Sequence, residues 1–158
     1  MAILFTVGYE GSDVRSLIRA LRQNDVEEVV DVRLTPVSRK PGFSKTALAS
    51  ALVLEGIAYS HEPDLGCPKD IRIAYRRTDD FGAYARSYRR RVLVPAAAVV
   101  EALAHAASSK RLCLLCFERN ASECHRSIVA EAAGCANGGG IVVEDLRVPS
   151  SGRTSRPR

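Results

Sequence analysis

No apolar run in this 158-residue chain approaches the roughly 20 residues that a membrane-spanning helix needs, so no membrane partner is expected. The start, Met1-Ala-Ile-Leu-Phe-Thr-Val-Gly8, lacks a basic leader and a following cleavage site, which makes a cytoplasmic location the default expectation. A disulfide framework is missing too. The five cysteines are odd in number and irregularly spaced, which fits free thiols in a reducing compartment, with Cys113 and Cys135 read as small core residues. No internal repeat is visible. Nor is there a basic footprint over the whole domain, although the net charge is +5. Residues 1–66 carry a net −2, residues 67–91 +5, residues 92–146 −2 and residues 147–158 +4. The positive charge therefore sits in one segment, Lys69 to Arg91, and in the tail.

What is present is alternation. Apolar runs of four to seven residues alternate with longer segments of helical period. That pattern predicts an α/β fold: one three-layer domain with a mostly parallel central sheet of about five strands flanked by helices. The expected strands are Ile3–Val7, Val26–Val32, Ile57–His61, Arg111–Cys116 and Ile141–Glu144. The first helix follows a cap at Ser12 or Asp13, with Val14, Leu17, Ile18 and Leu21 on its apolar face. Leu34 to Phe43, with two prolines and a glycine, reads as a loop; Ser44 then caps a helix closed by Gly56. Residues 63–81 show no clear period and read as a long, partly mobile excursion. Helices are expected over Phe81–Val94, Ala96–Ala107 and Cys124–Ala133. The domain is set at 1–146, and 147–158 is read as a basic, disordered tail.

Residues that can carry chemistry gather at predicted C-terminal strand ends. Cys113-x-x-Cys116 resembles a metal or redox pair, but alternation along a strand sends the two thiols to opposite faces. A zinc site drawing on Cys116, Cys124 and His125, with Cys67 or His61, remains open, yet no spacing is a strong zinc signature and no residue is assigned to a metal. Cys116 and Cys124 are candidate nucleophiles, and Glu118 is a candidate general base or ribose acceptor. Arg126 on the first helical turn, beside His125, is placed to clamp an anion. Asp31 and Arg33 project together, and Arg33 and Arg39 can meet the same charged ligand. Tyr9 lies between Gly8 and Gly11, where close approach of a ligand is permitted. Parallel strands would put all of these on one rim.

Several ordered motifs, among them Thr6-Val-Gly-Tyr-Glu-Gly11, Val30-Asp-Val-Arg33, Pro36-Val-Ser-Arg39, Gly56-Ile-Ala-Tyr-Ser-His61, Leu65-Gly66 and Cys116-Phe-Glu118 followed by Cys124-His-Arg126, resemble the DUF488 family. The likeness runs from about Ile3 to Leu146, with Cys67 standing where the family has a second glycine. It implies an α/β fold and a shared Asp/Arg/Cys/Glu/Cys-His-Arg rim, and it supplies no reaction. A looser likeness to rhodanese-like domains, through Val-Asp-Val-Arg, would imply sulfur transfer. The compact loop with Arg six residues after the cysteine is missing, however, because Arg126 lies ten residues after Cys116.

The expectation from sequence is thus a protein that binds or processes a small anionic ligand, a nucleotide or phosphorylated metabolite, at a Cys/Glu/Arg rim. Whether it is an enzyme stays open, and the sequence names neither a cofactor nor an oligomeric state. Two other classes are carried forward: a nucleic-acid-binding module using the Arg72–Arg91 segment with Tyr75, Tyr84 and Tyr88, and a thiol-redox, sulfur-transfer or zinc protein.

Overall fold

Five apolar runs become five parallel strands because each is apolar on both faces or lies beside one that is. The computed structural model describes residues 1–151 and contains β1 (Ala2–Gly8), β2 (Glu28–Asp31), β3 (Ala58–His61), β4 (Leu112–Cys116) and β5 (Ile141–Leu146). Their spatial order is β3-β2-β4-β1-β5, and every pairing is parallel. All five residues of β4 are buried, as expected for a strand near the middle of a sheet covered on both sides.

Among the described residues six α-helices cover the sheet: α1 (Val14–Gln23), α2 (Lys45–Leu54), α3 (Lys69–Thr78), α4 (Phe81–Tyr88), α5 (Ala97–Ala107) and α6 (His125–Ala136). Leu17 and Leu21 of α1 and Leu48 and Leu52 of α2 pack with Phe5, Val29, Cys113 and Leu115 on one face. Ile71, Tyr84, Tyr88, Val100, Leu103, Ile128 and Val129 pack with Leu4, Val30, Leu114 and Cys116 on the other. Cys113 and Cys116 thus serve different core layers, as alternation requires.

Local signals act largely as read. Asp13 caps α1 by accepting from the Ser16 N–H at 2.7 Å. Gly56, at φ +74°, turns the chain out of α2. Ser44 precedes α2, but its hydroxyl does not cap the helix; it accepts from the Ser38 N–H at 3.1 Å and ties the proline-rich loop. The second strand is shorter than predicted, four residues ending at Asp31.

The excursion over residues 63–81 is ordered, which corrects the sequence reading. A short 3₁₀ turn, Pro63–Leu65, leads into α3, which ends at Asp79 in the left-handed conformation (φ 52°). The helix escaped detection because, of its ten residues, Ile71 alone is fully buried and Tyr75, one turn on, is half-buried. So narrow a stripe leaves almost no periodic signal. The helix α4 continues as a π turn, Arg89–Leu93. Val148 is buried and the Ser151 N–H donates to the Gly11 carbonyl at 2.9 Å, so the chain still packs on the domain past Leu146. The rest of the expected tail, residues 152–158, lies outside the described residues.

The topology opens a crevice at the C-terminal end of β4. After β1 the chain passes to α1 on one face; after neighbouring β4 it passes to α6 on the other. Connections leaving adjacent parallel strands in opposite directions open a gap beyond their C-terminal ends. Tyr9 follows β1 there, and Phe117 and Glu118 follow β4.

Candidate ligand-binding site

The crevice holds a cavity of about 420 Å³, lined by Tyr9, Arg33, Arg39, Cys67, Arg72, Arg76, Tyr84, Cys116, Phe117, Glu118 and His125 among others. That size suits a small-molecule ligand. Of the nine residues singled out from sequence, six line this cavity: Tyr9, Arg33, Arg39, Cys116, Glu118 and His125. Asp31, Cys124 and Arg126 stand behind the wall.

One half of the wall is held by Asp31. Its carboxylate accepts from Arg33 through Nε at 2.9 Å and Nη2 at 2.7 Å, a bidentate ion pair buried at both partners. Tyr59 Oη donates to the same carboxylate at 2.6 Å. Arg33 Nη1 donates to Tyr9 Oη at 3.0 Å and to the Phe43 carbonyl at 2.7 Å. The Tyr9 ring stacks on Phe43, with centroids 4.3 Å apart. Burial works against the Arg33 charge, but the Asp31 carboxylate more than offsets it and the guanidinium stays ionised. This half is closed upon itself.

The other half is sulfur and imidazole. Cys116 ends β4, while Cys124 is the extended residue before α6 and His125 opens that helix. His125 Nε2 lies 2.8 Å from the Val32 carbonyl, which can only accept, so Nε2 carries the hydrogen. In the neutral ring Nδ1 then bears the lone pair, and it faces both Cys116 Sγ and Cys124 Sγ at 3.9 Å each. The Cys116 thiol also donates to Glu118 Oε2 at 3.6 Å.

These groups shift one another. The hydrogen bond to Cys124 and then burial push the Cys116 thiol well above its ordinary value. Burial pushes Cys124 the same way, but the Cys116 hydrogen bond and the positive charges of His125 and Arg126 prevail and hold it well below. Burial opposes the His125 imidazolium, yet the Cys124 sulfur draws its pKa up. Burial, followed by the charge of Cys124, raises Glu118 above the usual carboxylate range. Cys67, across the cavity, is pushed up to about 11 by burial.

Arg126 takes a different place from the one its helix position suggests. It is fully buried, and its guanidinium donates to the carbonyls of Glu118 and Arg119 and to Asp145 of β5. Thr6 Oγ1 donates to the same Asp145 oxygen at 2.7 Å. A side chain at Gly8 would meet the Glu118 carbonyl at 1.7 Å, so only glycine lets the segment after β4 lie against β1 within reach of Arg126. Arg126 thereby fixes the backbone that carries Glu118.

Sequence reading missed the part α3 plays here. Its exposed Arg72 and Arg76 reach the same cavity as Arg39, and among the described residues none of the three has an ion-pair partner. The tyrosines interleaved with the basic segment point inward instead. Tyr84 and Tyr88 are buried, and Tyr75 packs on Phe81 and Tyr84. Arg89 pairs with Glu131 and Arg91 with Asp70.

At the N-terminal ends of β2, β3 and β4, away from the crevice, lies a wider hollow of about 580 Å³, among Arg22, Glu27, Glu28, Glu55 and Lys110. Its charges close on each other in the Arg22–Glu55 and Lys110–Glu28 pairs, and its lining includes no thiol and no imidazole. No helix of the described residues is long and apolar enough to cross a membrane.

Comparison with known proteins adds one match. The sequence model of a family described as Domain of unknown function DUF488 matches residues 13–133, most of the chain. No curated protein and no solved structure matches.

Proposed function

The chain belongs to the DUF488 family, whose description carries no activity, and we propose from the site itself that it binds or processes a small anionic ligand in the crevice cavity. The ligand class is a nucleotide or phosphorylated metabolite. One observation carries this reading: Arg39, Arg72 and Arg76, from two different segments, converge on one cavity without carboxylate partners among the described residues. Unpaired guanidiniums facing a common space suit an anion able to accept several charge-assisted hydrogen bonds. The rings of Tyr9 and Phe117, edge to face at 5.5 Å, add apolar wall for a base or another flat group.

Below the arginines the ligand meets the Cys116 sulfur, the His125 ring and the Glu118 carboxylate. Glu118 is the acid/base group within reach of that sulfur. Asp31 and Arg126 are positioning residues, the first for Arg33 and Tyr59, the second for the Glu118 segment. A nucleic-acid module draws less support: Tyr84 and Tyr88, which would stack on bases, are buried, and Arg89 and Arg91 are engaged.

The test is thermal stabilisation by a panel of inorganic phosphate, nucleoside mono- and triphosphates and a sugar phosphate. At least one should raise the melting temperature of the wild-type protein and fail to raise that of the Arg39→Ala/Arg72→Ala double variant. Equal stabilisation of both proteins would remove the cavity as the binding site.

A further inference from the structure

Cys116, Cys124 and His125 present three donor atoms that all lie within 4.8 Å of one another, every one on a buried side chain. From this arrangement we infer that the three residues bind a zinc-class divalent cation, with the fourth coordination position open to the crevice cavity. The inference rests on the reading of that cavity as the ligand site and deepens it by naming what stands at its floor.

The distances fit. Zinc–sulfur bonds of about 2.3 Å and zinc–nitrogen bonds of about 2.0–2.1 Å, at tetrahedral angles, place sulfur and nitrogen roughly 3.6 Å apart and two sulfurs roughly 3.8 Å apart. His125 Nδ1 stands 3.9 Å from each of Cys116 Sγ and Cys124 Sγ. Contraction by a few tenths of an ångström brings both edges to those lengths. The separation is long for a thiol–imidazole hydrogen bond and ordinary for two ligands of one ion.

Orientation fits as well. A ligating imidazole needs its lone pair on the metal side and its N–H held from behind. His125 Nε2 donates to the Val32 carbonyl at 2.8 Å, which leaves Nδ1 turned toward the sulfurs. The donor set then selects the metal: two thiolates and an imidazole suit zinc and similar soft or borderline ions and do not suit magnesium or calcium. Two thiolates also neutralise a dication, so the buried site carries no net charge once both protons have left.

Three protein ligands with an open fourth position form the arrangement of catalytic rather than structural zinc. Cys116 and His125 line the cavity while Cys124 lies behind them, so the open position faces the arginines. Glu118 Oε2, 3.6 Å from Cys116 Sγ, stands beside that position as a base for a bound water or as a partner for the incoming ligand.

The experiment uses the full chain, stripped with a chelator under reducing conditions and titrated with cobalt(II) as a spectroscopic stand-in for zinc. Saturation at one equivalent is expected, with tetrahedral d–d bands and a sulfur-to-cobalt charge-transfer band, all bleached by zinc. Cys116→Ser and Cys124→Ser should each lose most of the charge-transfer intensity, whereas Cys135→Ser, altering an exposed thiol away from the site, should keep it. If either buried variant fails to fold, the wild-type spectrum decides alone: no sulfur-to-cobalt band at one equivalent overturns the inference. An unchanged spectrum in a folded Cys124→Ser variant also overturns it. Stabilisation of metal-free protein by phosphate compounds, read separately through Arg39→Ala/Arg72→Ala, keeps failure of the metal site distinct from failure of the anion pocket.

Discussion

The two halves of the cavity wall are built on opposite terms. Around Asp31 the polar groups meet short-range partners, at distances from 2.6 to 3.1 Å, and Arg33, Tyr59, Tyr9 and Phe43 are locked together. Around His125 one bond is as short, 2.8 Å from Nε2 to the Val32 carbonyl, and the contacts to sulfur are longer: 3.6 Å from Cys116 to Glu118 and 3.9 Å from Nδ1 to each sulfur. Both halves are buried and both contain ionisable groups. Perturbed, buried charge alone therefore does not mark reactive chemistry. The Asp31 half has spent its hydrogen-bonding capacity on shape, and the sulfur half still has donor atoms facing a common point.

The largest expected effect comes from breaking the closed half. Asp31→Ala strands a buried guanidinium and a tyrosine hydroxyl, and should cost about 3–5 kcal/mol of stability in a urea titration. A loss below about 1 kcal/mol would mean that Arg33 finds another partner and that this half is not a scaffold. Arg126→Met comes next. Two backbone carbonyls lose their Arg126 donor and Asp145 is left with Thr6, and a loss of about 2–4 kcal/mol is expected. The same variant should weaken ligand binding indirectly, by freeing the segment that carries Glu118.

The sulfur half should respond differently. Cys116→Ala removes one sulfur whose polar contacts are long, so about 1–2 kcal/mol of stability is at stake. Metal and ligand responses should change far more than the melting temperature does. A stability loss as large as that of Asp31→Ala would erase the contrast between the halves. The smallest structural effect belongs to Arg39→Ala. An exposed, unpaired arginine costs within about 0.5 kcal/mol on removal. Its loss should still weaken the phosphate ligand about tenfold, the equivalent of ~1.4 kcal/mol, in a titration at fixed salt.

How much of this was legible in the sequence depends on how local the cause is. The sheet was readable because four- to seven-residue apolar runs leave a strong signal, and strand alternation separated Cys113 from Cys116 without any coordinates. Asp31 and Arg33 could be paired because they lie two residues apart on one side of a strand end. Arg126 could not be placed. Its partners are two backbone carbonyls, which no sequence displays, and Asp145, nineteen residues away on β5. Helix α3 was invisible for a related reason, since its apolar stripe is little more than Ile71 and Tyr75. With α3 unseen, Arg72 and Arg76 read as part of a basic segment for nucleic acid rather than as cavity wall. The spacing of Tyr84 and Tyr88 marked a helix face, and burial shows that this face is core.

The most direct test is an equilibrium titration of the strongest-binding member of the phosphate panel into wild-type protein and into Arg39→Ala/Arg72→Ala. A loss of affinity of about 30-fold or more is expected in the double variant, corresponding to ~2 kcal/mol, with the melting temperature of the unliganded protein unchanged. Equal affinity in the two proteins would contradict the claim that the crevice between β1 and β4 is where this protein meets its ligand.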